Sequence, residues 1–229
     1  MEESRTSGAG RGLAAGWQGL IAVLLSAVLY LLAFPPLDLP ETAYVFALPL
    51  LLHAFFSKPF RGEGWLVLLG GWLAWFFLLI WLRNVTAHLS SPFAGALGWL
   101  AVLSLSGIMA LFWWAWFALL LRAVRTVREK GLPARLGTVL ALSACWVLLE
   151  WLRGFLFTGF PWLPLSASQW ERPLLLQIAS LTGASGVSFV LVAFNLGLGF
   201  YLYNLWVNRR QRWWRRLSVE FYLSLGILF

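Results

Sequence analysis

The chain has 229 residues, 61% of them hydrophobic and 11% charged, with a mean hydropathy of +0.79. Soluble domains run to roughly 45–50% apolar and about 25% charged residues, so a water-soluble protein is excluded and an all-α integral membrane protein is predicted. The net charge of +8 does not indicate nucleic acid, because the 17 basic residues fall in short clusters between apolar runs, the pattern that sets membrane orientation.

The apolar runs are continuous rather than alternating, which disfavours a strand barrel. They predict a bundle of six transmembrane helices plus the start of a seventh. A segment over residues 1–16, carrying Arg5 and Arg11, precedes the first span, Trp17 to Phe34. That span is too long for a signal peptide and lacks a small-residue cleavage site. Ala43 to Phe56 is short against the roughly 20 residues a span needs, so it recruits flanking residues or lies in a thinned region. Trp65 to Leu82, the long run Phe93 to Leu121, Leu136 to Leu152 and Ala184 to Val207 follow, and a last run starts near Val219. A helix halting at Phe229, in mid-bilayer, would leave backbone carbonyls and a carboxylate in hydrocarbon. The sequence therefore reads as a fragment of a longer protein, with residues 17–229 forming one polytopic membrane domain.

The basic clusters orient these spans. Arg5, Arg11, Lys58, Arg61, Arg122, Arg125, Arg128, Lys130, Arg135, Arg209, Arg210, Arg212, Arg215 and Arg216 fall on one side of the predicted topology, and only Arg83, Arg153 and Arg172 on the other. Positive residues mark the cytoplasmic face, which puts the N-terminus in the cytoplasm. Trp17, Trp65, Trp81, Trp162 and Trp206 lie near span ends, where aromatic rings anchor at the interface. Trp113, Trp114 and Trp116 lie deeper and pack against helices or line an internal cavity.

The stretch from Cys145 to Asn195 departs from a plain bundle. Glu150 and Arg153 sit three apart near the outer end of the fifth span, so they share a helix face and can pair. Each alone costs about 2.5–3.5 kcal/mol at a helix centre on insertion scales. Two readings stay open: a pair that fixes the helix end, or a pair that shapes a polar pocket for a headgroup or substrate. After it come Thr158-Gly159-Phe160-Pro161-Trp162, Pro164, Ser168-Gln169 and Pro173. Three prolines, each lacking a donor and disfavouring helix before it, make a span here untenable. Non-helical backbone at membrane depth survives only when buried in protein or facing water. Residues 154–183 are therefore predicted to form an outer-face re-entrant or interfacial loop, with a short amphipathic helix from about Pro173 to Leu181.

Catalytic potential is sparse. Cys145, the single cysteine, excludes an intrachain disulfide; deep in an apolar span and with no histidine within a turn, it is a poor nucleophile. His53 and His88 make no metal set. No phosphate loop, dinucleotide fingerprint or nucleophile elbow is present, so no catalytic residue, metal or cofactor is expected within the chain.

The order and spacing of Trp146, Glu150-Trp151-Leu152-Arg153, Thr158-Gly159-Phe160-Pro161-Trp162, Ser168-Gln169, Gln177, Gly183, Gly186, Ser188-Phe189 and Asn195 resemble the membrane domain of the apolipoprotein N-acyltransferase family. Leu32-Ala33-Phe34-Pro35-Pro36 and Trp81 match it too. The resemblance implies a bacterial inner-membrane, multi-pass protein of lipoprotein maturation. Family members transfer an acyl chain from a phospholipid donor to the N-terminal cysteine amine of a diacylated lipoprotein. They do so through a thioester on a nitrilase-like Glu-Lys-Cys site, a domain expected to be absent from these residues. By the same resemblance Glu150, Arg153, Gly159, Phe160, Pro161, Trp162, Ser168 and Gln169 are expected to form the substrate-facing floor. A non-catalytic membrane subunit, binding lipid or anchoring a separately encoded partner, is the alternative.

Overall fold

The structure, a computed structural model, describes residues 2–88, 92–156, 159, 161–210 and 218–228, with backbone alone for 2–14, 87, 227 and 228. It is all-helical among the described residues. The helices are α1 (Glu2–Leu32), α2 (Leu48–Phe56), α3 (Glu63–Leu79), α4 (Ala94–Val127), α5 (Leu132–Arg153), α6 (Pro173–Val207) and α7 (Val219–Leu228). Short 3-10 helices lie at Pro40–Tyr44, Ile80–His88 and Leu165–Gln169. Among the described residues five stretches are long and apolar enough to cross a membrane: Ala15–Leu32, Glu63–Thr86, Ala94–Val127, Leu132–Arg153 and Pro173–Val207. The helix of α1 begins well before its apolar stretch, inside the expected leading segment.

The short second run sits in the middle of the bundle. Ala43, Phe46, Ala47, Leu50, Leu51, Ala54 and Phe55 are all buried, so protein rather than lipid surrounds them. That position explains why 17 residues over Pro40–Phe56 suffice, and why part of the segment need not be α-helical. Asn195 of α6 supplies what the irregular backbone lacks. Its Oδ1 accepts from the Ala47 N–H at 3.0 Å and its Nδ2 donates to the Ala43 carbonyl at 2.9 Å. Backbone groups orphaned away from water each cost several kcal/mol, so this one amide permits the break.

Around this segment lies an aromatic core. Tyr30 meets Trp113 at 5.0 Å and Phe34 at 5.1 Å, Trp146 meets Trp116 at 4.9 Å and Phe46 at 5.3 Å. The Trp116 indole donates to the Leu142 carbonyl at 2.9 Å. Apolar burial drives little association between helices in lipid, so close packing must. Gly71 shows how: a Cβ there would stand 2.5 Å from Trp113 Cδ1, and only glycine lets α3 and α4 approach this closely. Of the three deep tryptophans, Trp113 and Trp116 are buried, whereas Trp114 is exposed on the flank of α4.

Basic residues gather at one end of the bundle. Arg125 forks onto Glu63 at 2.7 and 2.5 Å, and Arg128 donates to the Phe55 carbonyl at 2.5 Å, tying α4 to α3 and α2. Arg135 pairs with buried Glu220 at 2.9 Å and donates to Asn204 Oδ1 at 2.9 Å, holding α7 against α5 and α6. The opposite end carries the 154–172 connection.

Helix α6 joins two elements that the sequence reading kept apart. It runs on from Pro173 but breaks at Gly183 (φ 70°, ψ −178°), between the expected short helix and the expected span. A positive φ is strained for any residue with a Cβ, so glycine sets the place of the bend.

Candidate functional site

Helix α5 brings Trp146, Glu150 and Arg153 to one face at successive turns. Glu150 Oε1 accepts from Trp146 Nε1 at 2.9 Å and from the Leu165 N–H at 2.7 Å. Arg153 Nη2 donates to the Leu163 carbonyl at 2.9 Å and lies 3.8 Å from Glu150 Oε1. The two residues thus pair loosely with each other and tightly with the chain that returns above them. Between their backbone partners stands Pro164, which has no N–H, and Leu163 before it has φ 51°. A backbone turned this sharply inside protein leaves a carbonyl and an amide without local partners, and a side chain of each sign meets them.

Arg153 is only 5% exposed. Its guanidinium carbon stands 5.1 Å over the Trp75 ring, a cation–π contact that supports a cation in an apolar setting. Beside it lies a small cavity of about 20 Å³, lined by Tyr30, Trp75, Trp113, Trp146 and Glu150. That space matches one water. Arg153 Nε and Trp113 Nε1 are buried there without acceptors among the described residues, so the cavity offers donors to whatever enters it.

The rest of the connection divides into a fastened side and an open side. Gly159 (φ 87°) closes a turn on Leu156 at 2.9 Å, and a Cβ on it would fall 2.5 Å from the Gly154 carbonyl oxygen. Ser168 donates to the Leu165 carbonyl at 2.7 Å, and Gln169 Nε2 to the Pro40 carbonyl at 2.9 Å; both side chains are buried. The Ser188 hydroxyl accepts from the Ser166 N–H at 3.0 Å. Trp170 reaches Asp38, and Arg172 forms an ion pair with Glu41. On the open side Trp162 stacks on Trp81 at 5.3 Å and 22°, Pro161 is exposed, and Phe155, Trp170 and Leu174 present apolar surface. Leu181, at 89% exposure, stands almost fully clear of the protein. An apolar groove of about 510 Å³ runs beside them between Tyr44, Arg172, Leu174 and Phe194.

Of the residues predicted to face substrate, Glu150, Arg153, Gly159, Pro161, Trp162, Ser168 and Gln169 all lie in this one region. Phe160 is outside the described residues, as is Thr158. The Ser168 hydroxyl and the Gln169 Nε2 are spent on the chain itself, whereas Gln169 Oε1 is buried without a donor among the described residues. Sequence reasoning missed Tyr30, Trp75 and Asp38. A tyrosine in a run of leucines marked Tyr30, whereas nothing local marked Trp75 among 16 tryptophans. Cys145 is half-buried in α5, and no group of His, Cys, Asp and Glu able to hold a metal occurs among the described residues.

Residues 26–197 match the family model described as the apolipoprotein N-acyltransferase N-terminal domain. The chain is similar to proteins named apolipoprotein N-acyltransferase in several bacteria. It is 31% identical to that of Allorhizobium ampelinum over 194 residues, covering 79% of this chain and 34% of the relative. For the Geobacter metallireducens protein the figures are 30%, 78% and 32%, and for that of Azotobacter vinelandii 34%, 77% and 33%. The chain therefore spans about a third of the length of the relatives it matches.

Proposed function

The chain belongs to the apolipoprotein N-acyltransferase N-terminal domain family, and from that premise we propose that it forms the membrane floor of an acyl-transfer site. The acyl chain would come from a phospholipid and pass to the N-terminal cysteine amine of a diacylated lipoprotein. In this reading six helices cross a bacterial inner membrane and α7 begins a seventh. The N-terminus is cytoplasmic and the 154–172 connection lies at the outer surface. The gathering of Arg125, Arg128 and Arg135 at the other end supports that orientation.

One observation carries the reading. The connection has a backbone pinned by Glu150 and Arg153 and an open face of Phe155, Trp162, Trp170 and Leu174. Ordinary connecting loops are polar and loosely held; this one is fastened below through Leu163 and Leu165 and apolar above, as a surface that seats acyl chains requires. Glu150, Arg153, Gly159, Ser168 and Gln169 act here as positioning residues, and Pro161 and Trp162 as the surface the lipid meets. No described side chain is assigned as acyl carrier.

A chimera in which this chain replaces the matched third of the Azotobacter vinelandii relative tests the proposal. It should transfer acyl groups from a phospholipid to a diacylated lipopeptide. Trp162→Ala in it should lower kcat/KM about tenfold, the loss of one aromatic contact of about 1.4 kcal/mol. Wild-type turnover in that variant, with normal membrane insertion, would sink the idea.

A further inference from the structure

The basic end of the bundle holds a second groove, remote from the 154–172 connection. It runs between α3 and α4, has a volume of about 830 Å³, and is walled by Gly64, Val67, Trp114, Ala118, Arg122 and Arg125. The volume lies within the roughly 300–1,000 Å³ range of small-molecule sites. Small side chains make the floor, and Trp65 and Leu119, exposed beside it, face where hydrocarbon would lie.

Its polar groups point one way chemically. Glu63, the single carboxylate on the wall, is engaged by both Nη atoms of Arg125 and by His53 Nε2 at 2.9 Å. Arg125 Nε is buried and has no acceptor among the described residues. Arg122 is exposed and forms no ion pair among the described residues. The indole nitrogen of Trp114 lies 3.3 Å from where a Cβ on Gly64 would be, so glycine leaves it room above the groove. Lys58 and Arg61, also exposed, stand in the turn that leads into α3. The site thus presents donors and positive charge with no free carboxylate. From Trp114 to Arg125 the helix rises about 16 Å, close to half of the roughly 30 Å hydrocarbon core, so the groove is about one leaflet deep.

We propose that this groove binds one anionic phospholipid of the leaflet next to the basic end. The phosphodiester sits against the exposed Arg122 at the mouth of the groove beside Arg125, the Trp114 indole donates to a glycerol ester carbonyl, and an acyl chain lies along Ala115, Ala118 and Leu119. Basic pockets between membrane helices favour anionic headgroups for this reason, with each Arg or Lys contributing on the order of 1 kcal/mol near the surface. This lipid is not the acyl donor, because it lies at the end of the bundle opposite the acyl-transfer floor. The site stands whether or not that floor is catalytic.

Native mass spectrometry of the full chain, loaded from micelles containing phosphatidylglycerol or phosphatidylcholine, tests it. The wild type should retain one phosphatidylglycerol in preference to phosphatidylcholine. Arg122→Gln should lower that retention about fivefold, the factor equivalent to one basic side chain. Lys130→Gln, exposed in the following turn, should leave it unchanged. Ala118→Phe, which fills the floor without changing charge, should also reduce retention, with helicity by circular dichroism serving as the check on folding. Equal retention of the two lipids, wild-type retention by Arg122→Gln or by Ala118→Phe, or an equal loss in Lys130→Gln would each overturn the proposal.

Discussion

At the scale of single residues, Glu150 and Arg153 explain most of what the 154–172 connection does. Their distances rank their partners: 2.7 Å and 2.9 Å to the backbone, 3.8 Å to each other. Removing one member of a buried charged set is worse than removing both, because the survivor is left uncompensated. Arg153→Ala should therefore destabilise the protein by about 3–5 kcal/mol. Glu150→Gln, which keeps an oxygen for Leu165 and Trp146, should cost clearly less. Unfolding midpoints in mixed micelles check the order, and equal shifts would contradict it. The spacing of the two residues was legible in the sequence, since three positions apart on a helix share a face. Their true partners were not, because the Leu163 carbonyl and Leu165 N–H become needy only when the chain turns at Pro164 and folds back onto α5. Ser168 and Gln169 teach the same lesson. As a polar pair in a loop they read as open to substrate, yet the amide is taken by Pro40, over a hundred residues earlier in the chain.

At the scale of elements, composition identifies runs but not their surroundings. The segment Ala43 to Phe56 read as a span that was too short; burial of Ala43, Phe46, Ala47, Leu50, Leu51, Ala54 and Phe55 shows that one of its faces packs on protein rather than lipid. Its irregular start depends on Asn195, which gives the next prediction. Asn195→Leu leaves the Ala47 N–H and Ala43 carbonyl without their partner, at about 1–3 kcal/mol for each buried group. The variant should insert normally but show faster amide exchange confined to residues 43–50; a uniform change across the bundle would contradict the assignment. Helix α6 illustrates the converse. Proline at its start and glycine at residue 183 were both visible as punctuation, and the structure places the helix start and the bend at those two residues. What the pattern did not show is that the two pieces stay continuous.

At the scale of the whole molecule, the proposed function depends on which end faces which side of the membrane. With Cys145 changed to alanine, a single cysteine introduced in place of Lys130 should react with an impermeant thiol reagent only from the cytoplasmic side. One in place of Glu171 should react only from the outer side. The reverse pattern would invert the proposed topology. The all-helical class of this protein, its apolar runs, its basic clusters and the break after Arg153 were legible in the sequence alone, though not how those runs join into helices. These follow from local hydrophobicity, charge and the backbone limits of proline and glycine, which act over a few residues. The tertiary structure alone decided which buried polar groups meet: Asn195 with Ala43 and Ala47, Arg153 with Leu163 under Trp75, Arg125 with Glu63. Such partners are distant in the chain. They are selected because a desolvated donor or acceptor must find its complement wherever packing brings one within reach.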